Sequence, residues 1–145
     1  MGRLDGKVAI VTGAARGQGE AEARLFAAEG AKVVVADVLA DEAAAIAADI
    51  GDAASAATLD VTDEDGWKAV VAAAEETFGP VTTLVNNAGI VDFNGLRDYD
   101  VDRFRRVLDI NVVGCMLGIK SVIGSMRAAG GGAIVNISSN GGMEG

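Results

Sequence analysis

Short apolar runs alternate along this chain with longer stretches in which apolar and polar positions mix at helical spacing. Lys7-Val8-Ala9-Ile10-Val11-Thr12 is β-branched and apolar and is closed by Gly13, which predicts a strand buried on both faces. Residues 18–29 are rich in Ala, Glu and Leu and are followed by Gly30, which predicts a helix with a glycine stop. Lys32-Val33-Val34-Val35-Ala36 repeats the strand pattern up to Asp37, and residues 41–49 predict a second helix stopped by Gly51. Residues 56–59 form a weaker third strand ending at Asp60. Thr62 is placed to cap a third helix, whose first turn carries Asp63, Glu64 and Asp65 at the positive end of the helix dipole. Gly79-Pro80 ends that helix. A fourth strand follows at Thr83-Leu84-Val85-Asn86, then a polar loop over residues 92–100 and a long helix over residues 101–129. Gly130-Gly131-Gly132 breaks the helix before a fifth strand, Ala133-Ile134-Val135-Asn136-Ile137.

Alternating strands and helices predict a parallel sheet covered on both faces. Right-handed crossovers then give an α/β, doubly wound sheet of three layers with its five strands in the order 3-2-1-4-5. A length of 145 residues suits a single domain over residues 1–145. The Ala-rich stretch over residues 43–57 is compositionally biased, but Ala is the best helix former, so helix is the plain reading there.

The densest chemical signal is Thr12-Gly13-Ala14-Ala15-Arg16-Gly17-Gln18-Gly19, between the first strand and the first helix. Glycines here allow a tight turn and let a pyrophosphate approach the backbone. The helix N-terminus then offers N–H donors and a favourable dipole. Asp37 closes the second strand, where a carboxylate can accept hydrogen bonds from ribose hydroxyls and would repel a 2′-phosphate. That selects NAD over NADP, and Val38 in place of a following basic residue points the same way. Arg16 is the one residue of the loop that could favour a 2′-phosphate.

Charge and inventory narrow the chemistry further. Twelve Lys and Arg against 21 Asp and Glu give a net charge of −9, which argues against nucleic acid or an anionic membrane surface as a partner. One cysteine, Cys115, permits no intramolecular disulfide, and with no histidine neither a zinc site nor a Ser-His-Asp triad can be built. The N-terminal residues show no apolar signal segment. Residues 110–126 are apolar but interrupted by Asn111, Lys120 and Ser121, so no membrane span is expected. The expected location is the cytoplasm.

The glycine pattern, Asn86-Asn87-Ala88-Gly89 after the fourth strand and Asn136-Ile137-Ser138-Ser139 after the fifth together resemble the short-chain dehydrogenase/reductase family, over the whole chain and in order. Within it the chain is most similar to the bacterial 3α(or 20β)-hydroxysteroid dehydrogenase and 3-oxoacyl-carrier-protein reductase type. The resemblance implies a Rossmann-like fold and an NAD-dependent oxidoreductase that moves a hydride between nicotinamide and a secondary alcohol or ketone. The small-molecule substrate itself is left open, and a homo-oligomer is implied. It further implies that Gly13, Arg16, Gly17, Gln18, Gly19 and Asp37 bind the cofactor, that Asp60 and Val61 contact its adenine, and that Asn87, Ala88 and Gly89 lie against its ribose. Asn86 is expected to tie strands together instead. Ser139 matches the catalytic serine that holds the substrate oxygen, with Gly142 as the glycine that follows it in the family pattern. Asn111 matches the asparagine that distorts the long helix and supports a proton relay. Gly114 and Gly118, one turn apart, are expected to permit close helix packing.

The family's general acid/base is a tyrosine followed four residues later by a lysine, shortly after the serine. Here the one tyrosine, Tyr99, precedes the serine and is followed at that spacing by Arg103, so it reads as a loop or packing residue. Lys120 is no better a substitute. A family member of about 250 residues would be one domain, so the expectation is a truncated chain, without turnover, whose fifth strand is left as an edge. Two other readings stay open: an NAD-binding module without catalysis, and an interaction fragment that completes its sheet with a partner chain.

Overall fold

The computed structural model describes residues 2–93 and 95–142. Its elements are β1 (Val8–Thr12), α1 (Gly17–Ala28), β2 (Lys32–Asp37), α2 (Ala40–Ile50), β3 (Ala54–Thr58), α3 (Glu64–Phe78), β4 (Thr83–Asn86), α4 (Val101–Leu108), α5 (Gly114–Ala128) and β5 (Ala133–Asn136). The strands form one parallel sheet in the order β3-β2-β1-β4-β5, as the patterning predicts. Val8 lies beside Lys32, Ile10 beside both Val34 and Leu84, and Leu84 beside Ile134.

The pleat explains why the central strands are apolar at every position. Ile10, Val34 and Leu84 point into a core closed by Trp67 of α3 and by Leu117 and Val122 of α5. Their neighbours Val11, Val35 and Val85 point to the other face, against Ala23 of α1 and Ala43 and Ile46 of α2. Successive side chains of a strand go to opposite faces, so both must be apolar where helices cover both.

Three expectations shift. β3 starts two residues earlier than expected and ends one earlier, because Ala-Ser-Ala-Ala-Thr has little strand preference of its own and takes its register from β2. The cap of α3 is Asp63, whose Oδ1 accepts the Asp65 N–H at 3.0 Å, not Thr62. Thr62 instead donates its N–H and hydroxyl to Oδ1 of Asp60, at 2.9 and 2.8 Å. The long helix is not one helix: a π turn over Asp109–Val113 separates α4 from α5.

Gly114 and Gly118 of α5 bring it close to α3 and to the segment that follows β3. A Cβ at Gly114 would sit 2.7 Å from Val61 Cγ2, and one at Gly118 would sit 2.6 Å from Asn86 Oδ1 and 2.9 Å from the Trp67 ring. By length and composition residues 101–128 are apolar enough to cross a membrane. Here the stretch packs on the sheet and on α3 through Gly114, Leu117, Gly118, Val122, Ser125 and Met126. Lys120 pairs with Glu64 of α3 at 2.7 Å. Tyr99 stacks edge-on with Phe104, ring centroids 6.2 Å apart, a packing contact.

Candidate functional site

The chain leaves β1 toward the α1/α2 face and β4 toward the α3/α5 face, so a cleft opens between their C-terminal ends. Such a divide is where open α/β sheets hold ligands. A cavity of about 340 Å³ occupies it. Eight of the residues singled out in the sequence line it: Gly13, Arg16, Asp37, Asp60, Val61, Asn87, Ala88 and Gly89.

The glycine loop owes its shape to one hydroxyl and one amide. The buried Thr12 donates its hydroxyl to the Val85 carbonyl at 3.3 Å, and the same oxygen accepts the N–H of Asn87 at 3.1 Å and of Ala88 at 3.0 Å. Asn87 returns its side-chain amide to the carbonyls of Thr12 and Gly13, at 2.9 and 3.2 Å. Asn87 therefore straps the loop with its side chain, leaving its backbone turn beside the cleft. The loop is as tight as a cradle must be. A Cβ at Gly13 would stand 2.8 Å from Ala88 Cα, and one at Gly19 would meet Gly13 O and stand 2.5 Å from Asn87 Nδ2. Gly17 has φ +61°, which favours glycine, yet faces open space. Its helix begins at Arg16 with no side-chain cap, so the first N–H groups of α1 are left for an anion. These features fit a pyrophosphate.

Asp37 is buried and fixed. Its Oδ2 accepts the Ala15 N–H at 3.0 Å and its Oδ1 the Leu39 N–H at 3.1 Å. Each carboxylate oxygen keeps a second lone pair for a ligand hydroxyl. Asp60 is held below its ordinary carboxylate value, first by the Thr62 backbone N–H, then by the Thr62 hydroxyl, with a smaller push from the Arg106 charge. Asp60 is thus acceptor-only at neutral pH.

Other predicted residues lie elsewhere. Gln18 turns along α1 and donates to Glu22 at 2.8 Å, and Gly17 and Gly19 shape the loop without lining the cavity. Asn111 lies in the π turn, and its side chain is used twice: Oδ1 accepts the Ile90 N–H at 2.9 Å and Nδ2 donates to the Ile90 carbonyl at 2.8 Å. Ser139 is exposed just beyond β5, its Oγ accepting the Gly141 N–H at 3.2 Å, and it does not line the cavity. Asn86 donates to Asn136 Oδ1 at 2.8 Å, tying β4 to β5. The cleft also takes in Leu59, Ile90, Arg106 and Ile110, which the sequence did not nominate. The first two adjoin nominated residues and could have been found by extension. Arg106 and Ile110 carry no local motif.

Fold and cleft together define a Rossmann-like α/β fold with a cleft at the divide between β1 and β4. Comparison with known proteins agrees: the short chain dehydrogenase family model matches residues 7–145. The chain is 48% identical over 144 residues to the 3-alpha-(or 20-beta)-hydroxysteroid dehydrogenase of Mycobacterium bovis, covering 99% of this chain and 55% of that protein. It is 46% identical over 152 residues to the trans-4-hydroxycyclohexanecarboxylate dehydrogenase of Sinomonas cyclohexanicum, covering 99% and 58%. It is 48% identical over 144 residues to the galactitol 2-dehydrogenase of Agrobacterium fabrum, covering 99% and 56%. The chain belongs to the short-chain dehydrogenase family, whose members use nicotinamide cofactors. It spans just over half the length of these curated relatives.

Proposed function

We propose that this chain is the cofactor-binding part of an NAD-dependent oxidoreductase acting on a secondary alcohol or its ketone. The observation that carries the reading is the convergence of Gly13, Arg16, Asp37, Asp60, Val61 and the 87–89 turn, from four separate segments, on one cleft. In this reading the α1 N-terminus and the glycine loop take the pyrophosphate, the Asp37 carboxylate takes the adenosine ribose hydroxyls, and Asp60 accepts from the adenine amine. A bound nicotinamide would supply the hydride acceptor or donor. Ser139 would hold the substrate oxygen beyond β5. Asn111 would act by fixing the π turn against Ile90, since both ends of its side chain are engaged there. The proton-moving tyrosine and lysine that the resemblance implies have no counterpart in these 145 residues, whose one tyrosine, Tyr99, packs on Phe104.

The preference for NAD rests on Asp37. A fixed carboxylate beside the ribose repels a 2′-phosphate, and nothing in the turn after it is basic. Titration calorimetry of the 145-residue chain with NAD and with NADP tests both claims. Saturable NAD binding is expected, weaker NADP binding, and no alcohol oxidation. Asp37→Ala should lower NAD affinity by about tenfold or more, from loss of charge-assisted hydrogen bonds, and narrow the gap to NADP. A loosened loop alone would weaken both ligands together, so the ratio is the informative quantity. NAD affinity unchanged in Asp37→Ala would overturn the cofactor assignment.

A further inference from the structure

We infer that Arg106 is a positioning residue for the adenine base, forming the cationic wall of the base end of the cleft. The inference rests on the dinucleotide reading above. Arg106 belongs to α4, the element that the sequence left without any site role. It lines the same cavity as Leu59, Asp60 and Val61, which come from the end of β3, and as Ile110, one turn further along its own helical stretch. The base end thus has apolar walls for a flat ring, one carboxylate able to accept from an exocyclic amine, and one guanidinium.

Two features make the guanidinium more than a surface charge. Among the described residues, Arg103 is paired with Asp92 at 3.7 Å and Arg105 with Asp102 at 3.0 Å, whereas no carboxylate lies within ion-pair distance of Arg106. Arg106 is still near enough to Asp60 for its charge to favour the ionised carboxylate. A planar guanidinium stacks on an aromatic ring or donates in the plane of its edge, and adenine offers both a π face and ring-nitrogen acceptors. The π turn follows α4 directly, and Asn111 holds it to the Ile90 backbone. A single turn of chain therefore joins the asparagine to the base wall.

The test is calorimetric titration of wild type, Arg106→Ala and Arg106→Lys with NAD, AMP, nicotinamide mononucleotide and nicotinamide hypoxanthine dinucleotide. Arg106→Ala should weaken NAD and AMP by about fivefold, the size expected of one guanidinium–ring contact at a half-open site. Nicotinamide mononucleotide, which lacks the base, should be unaffected. The preference for adenine over hypoxanthine should fall, a change that general loosening of the cleft would not produce. Arg106→Lys keeps the charge without the plane and should recover only part of the loss. Arg106 is exposed, so melting temperatures should coincide with wild type. If wild type binds NAD and Arg106→Ala binds it equally well, or loses nicotinamide mononucleotide in proportion, the inference is overturned and the cofactor reading survives. If wild type binds neither NAD nor AMP, both fall.

Discussion

Gly19 and Gly17 show how one residue type does two jobs two positions apart. Gly19 is buried under the loop, where an added methyl would run into the Gly13 carbonyl and the Asn87 amide. Gly17 faces open space, and only its backbone angle asks for glycine. Gly19→Ala should therefore destabilise by about 1–3 kcal/mol, as overpacking does, and weaken NAD with it. Gly17→Ala should cost about 1 kcal/mol, the penalty of a left-handed backbone carrying a Cβ. Urea denaturation of both variants checks the order, and a larger loss at Gly17 would contradict it. The motif made both glycines legible in the sequence, but not this division of labour. Nor did it reveal that Thr12, which reads as the last residue of a buried strand, makes three hydrogen bonds that shape the loop. A hydroxyl's partners lie far along the chain, and periodicity carries no record of them.

At the scale of elements, the strands and helices were legible because burial on both faces of a parallel sheet leaves continuous apolar runs. The π turn was legible as an expected distortion at Asn111 but not in its extent, since the weak helix formers of Asp109–Val113 do not mark where such a turn starts and stops. Its extra residue rotates α4 about the helix axis relative to α5 by about 100°, one helical step. Arg106 reaches the cleft from α4 and Ile110 from the π turn itself, with no motif to announce either. Asn111→Leu removes both bonds to Ile90. It should lower stability by about 1–3 kcal/mol, the net worth of two hydrogen bonds. Amide exchange at Ile90 should speed up in step. Protection at Ile90 equal to wild type would show that the π turn holds itself.

For the whole molecule, burial is lopsided. Both faces of the central strands are covered, yet Phe104, Leu108, Val112, Met116 and Ile123 of the long helical stretch and Val135 of β5 are exposed. Apolar surface on this scale favours association, and we propose that the chain self-associates through it. Light scattering should show dimers or larger species, and Val112→Lys combined with Met116→Lys should shift them toward monomer; a wild-type monomer at tens of micromolar, a concentration at which weak interfaces of about −6 kcal/mol would already be half filled, would refute this. The site itself is spread widely along the chain. Thr12 reaches Asn87 and Ala88 across 75 and 76 residues of sequence, skipping both βα units that follow β1. Closing so long a loop is entropically costly, so the pairing of β1 with β4 belongs late in folding. A cleft completed only then has nothing to offer a nucleotide while the chain is still assembling. Cofactor should therefore leave the folding rate as it is and act by slowing unfolding, prolonging the life of the folded state without hastening its formation.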